Sequence, residues 1–304
     1  MQIHRFQPGM IEMIIAMALS GTIGLFVLES GQSAFNAVFF RCLFGALGLA
    51  AFCWWRGLLR PASFNRRNVI LALVGGVALV SNWILLFSSF SLASISISTA
   101  AYHTQPFFLV LLSALFLREK IGGSKLGWLA IAFGGLVLIL ELDSASFTGD
   151  MAMIQGLGLA LGAAVLYAIA TLVIKRQQGM APHLIALIQV ILGCFMLAPL
   201  VDFQAAPQDG RAWGFLVGLG LIHTCIMYIL LYSAFQKLKT AAIAILAFVY
   251  PAVAILVDYL VYDQDLSLYQ MAGIALILIA AAGVNMGWKL LPSSRKETNK
   301  TAEA

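Results

Sequence analysis

The sequence predicts an all-α integral membrane protein with ten transmembrane helices, arranged as two inverted five-helix repeats with both termini in the cytoplasm. Of its 304 residues, 62% are hydrophobic and 10% are charged, and the mean hydropathy is +0.95. A soluble domain is about half apolar and about a quarter charged. Apolar runs of about 20 residues, each enough for one bilayer crossing, recur along the chain. The two halves also resemble each other.

Hydropathy between polar breaks predicts ten spans, numbered here in order: 10–28, 34–55, 69–90, 94–117, 124–141, 153–174, 183–201, 212–235, 241–262 and 268–289. The N-terminal "MQIHRFQPG" is short and polar and the run after it can span, so span 1 is expected to be retained rather than cleaved as a signal. Little length remains for a soluble domain. The cysteines fall singly within apolar runs, which favours packing over a disulfide framework or zinc site: Cys42, Cys53, Cys194 and Cys225.

Orientation follows from the positive-inside rule. With the N-terminus inside, all but two of the 18 Lys and Arg residues lie in cytoplasmic segments. The exceptions are Arg211, in an outside loop, and Arg41, within span 2. Acidic residues mark the outside: Glu29, Glu141, Asp143, Asp150, Asp202, Asp209, Asp263 and Asp265. The net charge of +5 therefore needs no nucleic acid to explain it.

The halves align at an offset of about 145 residues, the kind of internal repeat that helical transporters contain. "LLFSSFSLASIS" (85–96) lies over "LLYSAFQKLKTA" (230–241), and three single residues match at similar spacing: Pro106 with Pro251, Glu119 with Asp265, Gly127 with Gly273. Five spans in each half require the second copy to enter from the opposite face. We predict repeats at 1–146 and 147–290 and a cytoplasmic polar tail at 291–304; chance similarity of leucine-rich segments is the alternative.

These features resemble the EamA-like family of the drug/metabolite transporter superfamily. The resemblance is carried by the two five-span halves, "FFRCLFGALGL" (39–49) and "QPFFLVLLSALFLREKIGGSKLG" (105–127). It implies a ten-helix carrier of the bacterial inner membrane that works by alternating access and usually exports small metabolites, amino acids or toxic compounds. Two departures from the pattern of the family leave the identity of the substrate undetermined. Asp265 stands opposite Glu119, and span 1 has "LSGTIG" where the family often has a tryptophan.

Span 4 contains polar groups that are expensive in hydrocarbon and are therefore functional candidates. A helical period places Tyr102, His103 and Pro106 on one side, with Gln105 about a third of a turn away. We predict substrate contacts for Tyr102, His103 and Gln105. Pro106 is expected to open the helix near the carbonyl of Tyr102.

Its repeat partner Pro251, next to Tyr250, is expected to free the carbonyl of Ala247 in span 9. Two matched kinks would face one cavity and act in gating. The alternative is that prolines are simply common in membrane helices.

Three residues are candidate proton carriers. His103 and His223 lie near the middle of spans 4 and 8, and histidine titrates close to physiological pH. Either could instead only hydrogen-bond between helices. Glu12, in the first turns of span 1, is the third candidate.

Arg41 is the basic residue well inside a span, with Gln189 near the matching position of the second half. It could hold a carboxylate or phosphate bidentately, or pair structurally with Asp258.

Further candidates could either line an aromatic cavity that binds the substrate or simply pack the core: Asn82, Trp83, Tyr167, Tyr228 and Tyr250. Glycines four apart are predicted at close helix contacts: Gly123/Gly127, Gly158/Gly162, Gly214/Gly218 and Gly283/Gly287.

The function favoured by the sequence is a secondary carrier that exports a small organic solute, such as an amino acid, amphipathic metabolite or drug-like compound, in exchange for protons. No ATP-binding lysine loop occurs, and no cofactor or metal is expected. The expected partners are a small-molecule substrate and the lipid bilayer, with a homodimer as an option. Uptake or facilitated diffusion of a nutrient is the alternative. An intramembrane lipid-modifying enzyme is disfavoured, because paired acids, His/Asp pairs and HExxH are lacking.

Overall fold

The structure is a computed structural model, and it describes residues 9–90, 92–93, 98, 101–119, 121–141, 150–177, 179–262 and 267–290. Over these ranges the protein is helical, without strands. Eight helical stretches are long and apolar enough to cross a membrane, and two shorter apolar helices accompany them, Gln105–Phe116 and Leu268–Val284. The prediction of an all-α membrane protein is therefore confirmed for the described part of the chain.

The helices of the first half are α1 (Met10–Gly21), α2 (Ile23–Glu29), α3 (Ala34–Trp55), α4 (Arg66–Phe90), α5 (Gln105–Phe116) and α6 (Gly123–Leu140). Those of the second half are α7 (Met151–Arg176), α8 (Pro182–Leu197), α9 (Gly210–Gly220), α10 (Met227–Lys237), α11 (Thr240–Leu246), α12 (Val249–Tyr262) and α13 (Leu268–Asn285). A π-helical turn, Leu221–Ile226, joins α9 to α10 without a loop. Most predicted span boundaries lie within a few residues of these helix ends.

Side-chain caps at the start of several helices satisfy backbone N–H groups that the first turn leaves without partners. Ser33 caps α3 and Asp150 caps α7. Asp209 accepts from the Ala212 N–H at 2.7 Å at the start of α9. Ser267 and Gln270 form a reciprocal capping box on α13. The polar residues between apolar runs thus fix where these helices start.

Three predicted spans are interrupted. Span 1 is broken at Thr22, a break that the sequence analysis did not predict. In span 4, residues 103–104 form a turn and the following helix starts at Gln105, so Pro106 occupies its first turn, where a missing N–H costs little. In span 9, α11 ends at Leu246 and α12 starts at Val249.

The breaks lie one turn ahead of the two repeat-matched prolines, as expected from the clash of a proline ring with the preceding turn. The prediction of a freed carbonyl at Ala247 was wrong. That carbonyl accepts from the Tyr250 N–H at 3.4 Å, since the chain tightens locally and uses a three-residue hydrogen bond in place of the lost one.

The helices pack in pairs that involve both halves. The most extensive contacts join α4 to α7 and α6 to α13, followed by α3 with α8 and α4 with α8. The helix pair α1 and α10 packs closely, as do α1 and α12, α5 and α7, and α3 and α9. One hydrophobic core runs through both halves, while large apolar side chains such as Trp54, Leu111 and Phe195 face outward. An apolar exterior of this kind suits a lipid environment.

Close helix contacts do occur at glycines, but the two glycines of a predicted pair do not both make them. A Cβ on Gly218 would meet Phe26, and one on Gly283 would meet Trp128, whereas Gly158, Gly214 and Gly287 have open space. In three of the pairs, a neighbouring helix contacts one glycine of the pair and leaves open space at the other. The sequence spacing could not show where the helices cross.

Close approaches of one helix backbone to another lie at other glycines. The Cβ positions of Gly135 and Gly273 each point at the carbonyl of the other, between α6 and α13. Gly45 and Gly220 hold α3 against the end of α9.

Candidate functional site

A cavity of about 180 Å³ lies between the helices of both halves. That volume corresponds to roughly six water molecules at the ~30 Å³ share of liquid water. Its walls are mostly aromatic and aliphatic, with a few polar groups: Ser20, Arg41, Trp83, Tyr102, Gln105, Tyr167, Thr171, Tyr228, Tyr232 and Tyr250. A concave, largely apolar space with a few polar groups is the usual form of a small-molecule site.

Arg41 is buried within α3, with 7% of its surface exposed. Its Nε donates to the Thr224 hydroxyl at 2.9 Å, and one terminal nitrogen, Nη2, donates to the His223 carbonyl at 3.1 Å and to the Tyr228 hydroxyl at 3.4 Å. The guanidinium carbon lies 5.0 Å from the Trp83 ring centre and 5.5 Å from that of Tyr228. These contacts hold the cation between two aromatic faces.

The π-helical turn supplies the acceptors for Arg41. Within it, the Thr224 hydroxyl donates to the Leu219 carbonyl five residues earlier, at 3.0 Å, and still accepts from Arg41. A wider turn leaves backbone carbonyls such as that of His223 open to side-chain donors, and such turns are frequent at functional sites. The local unwinding of the helix thereby positions the arginine.

Aromatic rings form the wall beside Arg41. Tyr228, Tyr232 and Phe235 stack along α10, with ring centres 5.2 Å and 6.1 Å apart. Their spacing of four and three residues places them on one face of the helix. The Tyr232 hydroxyl donates to Gln189 Oε1, so the polar residue that matches Arg41 in the second half contacts the same row of rings.

Gln105 brings a polar group to the cavity from the first turn of α5. Its side chain is buried, with 8% exposed, and its Oε1 has no hydrogen-bond partner in the described part of the chain. A buried amide oxygen without a partner costs free energy unless a ligand or water satisfies it. Gln105 is thus a polar contact that a bound solute can complete.

Span 4 presents a different face from the one predicted. Tyr102 and Gln105 line the cavity together, whereas His103 lies outside the lining. The helical period fails here because the helix is interrupted at residues 103–104. His103 stacks in parallel on Tyr250, with ring centres 5.4 Å apart, and Tyr250 does line the cavity. His103 is therefore one ring removed from the cavity.

Other predicted site residues are not part of the cavity lining. Asn82 is fully buried and donates to the Ala163 carbonyl at 2.7 Å, joining α4 to α7. His223 Nε2 shares a hydrogen bond of 2.8 Å with the Thr22 hydroxyl at the break between α1 and α2. Glu12 forms an ion pair of 2.5 Å with Lys237 at one end of the molecule. Pro106 and Pro251 both lie behind the lining, at the helix breaks.

Among the described residues that line the cavity, Arg41 is the only charged one. No carboxylate of the described residues forms an ion pair with it; the side chain of Asp258, its predicted structural partner, lies outside the described residues. No cluster of three or more potential metal ligands occurs among the residues that the structure describes.

Four residues at the site were not predicted from the sequence: Tyr232, Thr171, Ser20 and Thr224. Tyr232 follows Tyr228 by four residues, so the helical period could have shown that both share a face. Thr224 gave no such signal, because its role depends on the π-helical turn.

The comparisons with known proteins agree with this architecture. The model of the EamA-like transporter family matches residues 7–141 and again residues 154–286. An uncharacterized transporter, YxxF, of Bacillus subtilis is 34% identical over 90% of this chain and 88% of its own length. The pseudopaline exporter CntI of Pseudomonas aeruginosa is 24% identical over 82% of this chain and 86% of its own.

A protein crystal structure that shares 18% sequence identity superposes with a TM-score of 0.83, covering 95% of this chain and all of that one. At that identity the likeness shows the fold alone. The family match covers most of the chain in two stretches, and the Bacillus relative covers nearly all of it. The chain belongs to the EamA-like transporter family, within the drug/metabolite transporter superfamily.

Proposed function

We propose that the protein is a secondary active exporter of a small organic solute in the bacterial inner membrane, and that it works by alternating access around the central cavity. The observation that carries this proposal is the cavity itself, which both halves of the chain enclose and which Arg41 and Gln105 make locally polar. A buried polar site between the halves of a membrane carrier can be exposed to either side by a rocking motion of those halves.

We further propose that the fold consists of ten spans in two inverted repeats with both termini inside. The separate family matches at 7–141 and 154–286 support two copies. So do the contacts, since exchanging the two halves converts the packing of α4 on α7 into that of α10 on α1. Likewise, the packing of α5 on α7 becomes that of α12 on α1.

Residues matched by the repeat also meet at the cavity. Trp83 and its counterpart Tyr228 both line it, as do Gln105 and its counterpart Tyr250. A site on the pseudo-symmetry axis is what alternating access between two inverted halves requires. We therefore place the substrate site there, and the repeats at 1–146 and 147–290.

Export is favoured over uptake because one relative bears the name of an exporter. The alternating-access cycle is reversible, so the gradient and not the fold sets the direction. Uptake of a nutrient is the second candidate.

Proton coupling is proposed through His103. The ring stacks on Tyr250, so a change in its charge occurs one ring away from a bound solute. His223, held by Thr22, and Glu12, paired with Lys237, are the further candidates.

An untargeted comparison of metabolites in cells and medium, between deletion and overexpression strains, tests the proposal. An exporter enriches a solute in the medium of overexpressing cells and in the cytoplasm of the deletion strain. The opposite pattern indicates uptake, and no difference between the strains contradicts a transport function.

With that solute in proteoliposomes, collapse of the pH gradient is expected to slow transport by the wild type. His103→Gln is expected to remove this dependence. A wild-type transport rate that does not depend on the pH gradient would contradict proton coupling, but it would not contradict the proposed transport function.

A further inference from the structure

We propose that the cavity selects organic anions, with Arg41 as the residue that binds a solute carboxylate, and that it discriminates against cations of the same size and shape. This inference rests on the proposed function, because it names the class of solute that the transporter takes. Its basis is the buried cation of Arg41, whose guanidinium has a nitrogen without a hydrogen bond, together with the aromatic wall beside it.

The charge balance of the cavity favours a negative ligand. Arg41 is the only charged group in the described lining, and the polar lining groups besides it are neutral hydroxyls, an amide and the Trp83 indole. A buried charge without a counter-ion is costly in a low-dielectric surrounding. A bound anion removes this cost, whereas a bound cation would add to it.

The guanidinium is held so that part of it remains available. Nε and Nη2 are occupied by Thr224, the His223 carbonyl and Tyr228, and the other terminal nitrogen, Nη1, makes no hydrogen bond to any described residue. Arginine presents its donors in a rigid planar fork that suits a carboxylate. Fixing one side of the fork therefore orients the free nitrogen without further loss of side-chain freedom.

The rest of the lining fits an apolar, planar body attached to the acid. Tyr228 and Tyr232 stack in a row beside Arg41, and Trp83 covers the guanidinium from another side. Aromatic walls gain from ring stacking as well as from burial. Gln105 Oε1, buried and without a partner among described residues, adds one neutral polar contact for a donor on the solute.

Three probes that share one skeleton test the charge preference: 3-phenylpropionate, 3-phenylpropionamide and 3-phenylpropylamine. Binding to the purified, detergent-solubilised protein is measured by calorimetry and by the change in tryptophan fluorescence, to which Trp83 in the cavity wall contributes. We expect the carboxylate to bind the wild type roughly 10- to 100-fold more tightly than the amide or the amine, the range of one charged hydrogen bond. Equal or tighter binding of the amine, or no binding of the carboxylate, overturns the proposal.

Arg41→Gln is expected to remove the preference for the carboxylate over the amide, and Arg41→Lys to retain part of it as a point charge. Arg211→Gln is the matched control, because Arg211 pairs with Glu29 at an exposed position. Loss of carboxylate binding in this control, or an unchanged preference in a folded Arg41→Gln protein, contradicts the assignment.

The wild-type probe series does not depend on any variant folding, and probe binding does not depend on turnover. If the protein binds the carboxylate preferentially but the deletion and overexpression strains show no transport, the proposed function is wrong and the assignment of an anion site at Arg41 stands. If the strains export a cation, the anion assignment fails and the transport function stands.

Discussion

At the scale of single residues, the space between helices decides which positions tolerate change. A Cβ on Gly220 would clash with Phe44 Cβ and lie 2.8 Å from the backbone nitrogen of Gly45. Backbone cannot move aside as a flexible side chain can. Gly214, in the same helix α9, has open space around its Cβ position. The two glycines look alike in the sequence and differ only in what faces them.

Gly220→Ala is therefore expected to destabilise the protein by about 1–3 kcal/mol, the usual cost of overpacking. Gly214→Ala serves as the control and should be neutral or stabilising by up to about 1 kcal/mol, because alanine is the better helix former. Thermal unfolding in detergent measures both. Equal shifts for the two variants would show that the α3–α9 contact is looser than described.

Thr22 and His223 connect the break in span 1 to the π-helical turn through one hydrogen bond. Thr22→Val keeps the shape of the side chain and removes the hydroxyl. We expect a loss of about 1 kcal/mol, as for an interhelical hydrogen bond in a membrane. Thermal unfolding of Thr22→Val, His223→Phe and the double variant checks the coupling; additive effects would mean that the two residues act separately.

At the scale of helices, the interruptions in spans 4 and 9 bring Tyr102, Gln105 and Tyr250 to the cavity. Pro106 and Pro251 prevent these segments from forming continuous helices. Each break leaves polar backbone in the interior of the protein, where neighbouring residues can satisfy it. The same breaks give the segments points about which they can bend.

Replacing Pro106 and Pro251 together by alanine is expected to lower the transport rate several-fold while the protein still inserts and folds, because the helices can then close over the breaks. Pro182→Ala is the control, since Pro182 begins α8 and its missing N–H has no helical partner to lose. Initial rates in proteoliposomes and thermal unfolding are measured together. An unchanged rate in the double variant would contradict a gating role.

A polar network ties three segments together at one end. Lys175 Nζ lies 2.8 Å from Glu119 Oε1 and donates to the Leu238 carbonyl at 2.9 Å, while Glu119 Oε2 accepts from the Thr240 N–H at 3.2 Å. Burial opposes ionisation of Glu119, but the hydrogen bonds from Lys175 and Thr240 outweigh it. The pKa of Glu119 is therefore lowered from its ordinary value of 4.5.

A carboxylate with a lowered folded-state pKa stabilises the protein at neutral pH, and this contribution is lost as the pH falls below 4.5 through the folded pKa. Lys175→Ala should cost about 1–3 kcal/mol at neutral pH, because two partly buried acceptors, Glu119 and the Leu238 carbonyl, lose their donor. Lys237→Ala, whose ion pair with Glu12 is more exposed, should cost less than about 1 kcal/mol. Unfolding curves across pH check both; a Glu119→Gln protein with unchanged acid sensitivity would contradict the role of Glu119.

At the scale of the whole molecule, charge and packing separate two ends. Lys175, Lys237 and their acidic partners lie at one end, and the Arg211–Glu29 pair lies at the other. The positive-inside rule assigns the first end to the cytoplasm. The surface between them is rich in exposed apolar side chains.

Cysteine labelling in a cysteine-free background tests this sidedness. Gln204→Cys, exposed between α8 and α9, should react with an impermeant maleimide on intact cells. Arg60→Cys, exposed between α3 and α4, should react only after permeabilisation. Labelling in the reverse pattern would invert the orientation, and labelling of both on intact cells would contradict the predicted number of crossings between them.

Hydropathy and charge alone determined the class of protein, the position of most helices and the proposed orientation, because these depend on local composition and length. The repeat pointed to Pro106 and Pro251, whose effect on the backbone is also local. Arg41 could be identified as unusual for its place in an apolar run, and the aromatic candidates Trp83, Tyr228 and Tyr250 could be named as a set.

Only the tertiary structure decided which of these residues meet. It placed Gln105 in the cavity lining and His103 behind Tyr250, because the helix breaks between them and a regular period no longer applies. It also gave Arg41 its acceptors on the π-helical turn, and it showed which glycines lie at crossings. Such contacts join residues far apart in the chain, so they depend on how the helices pack and not on the residues within any one of them.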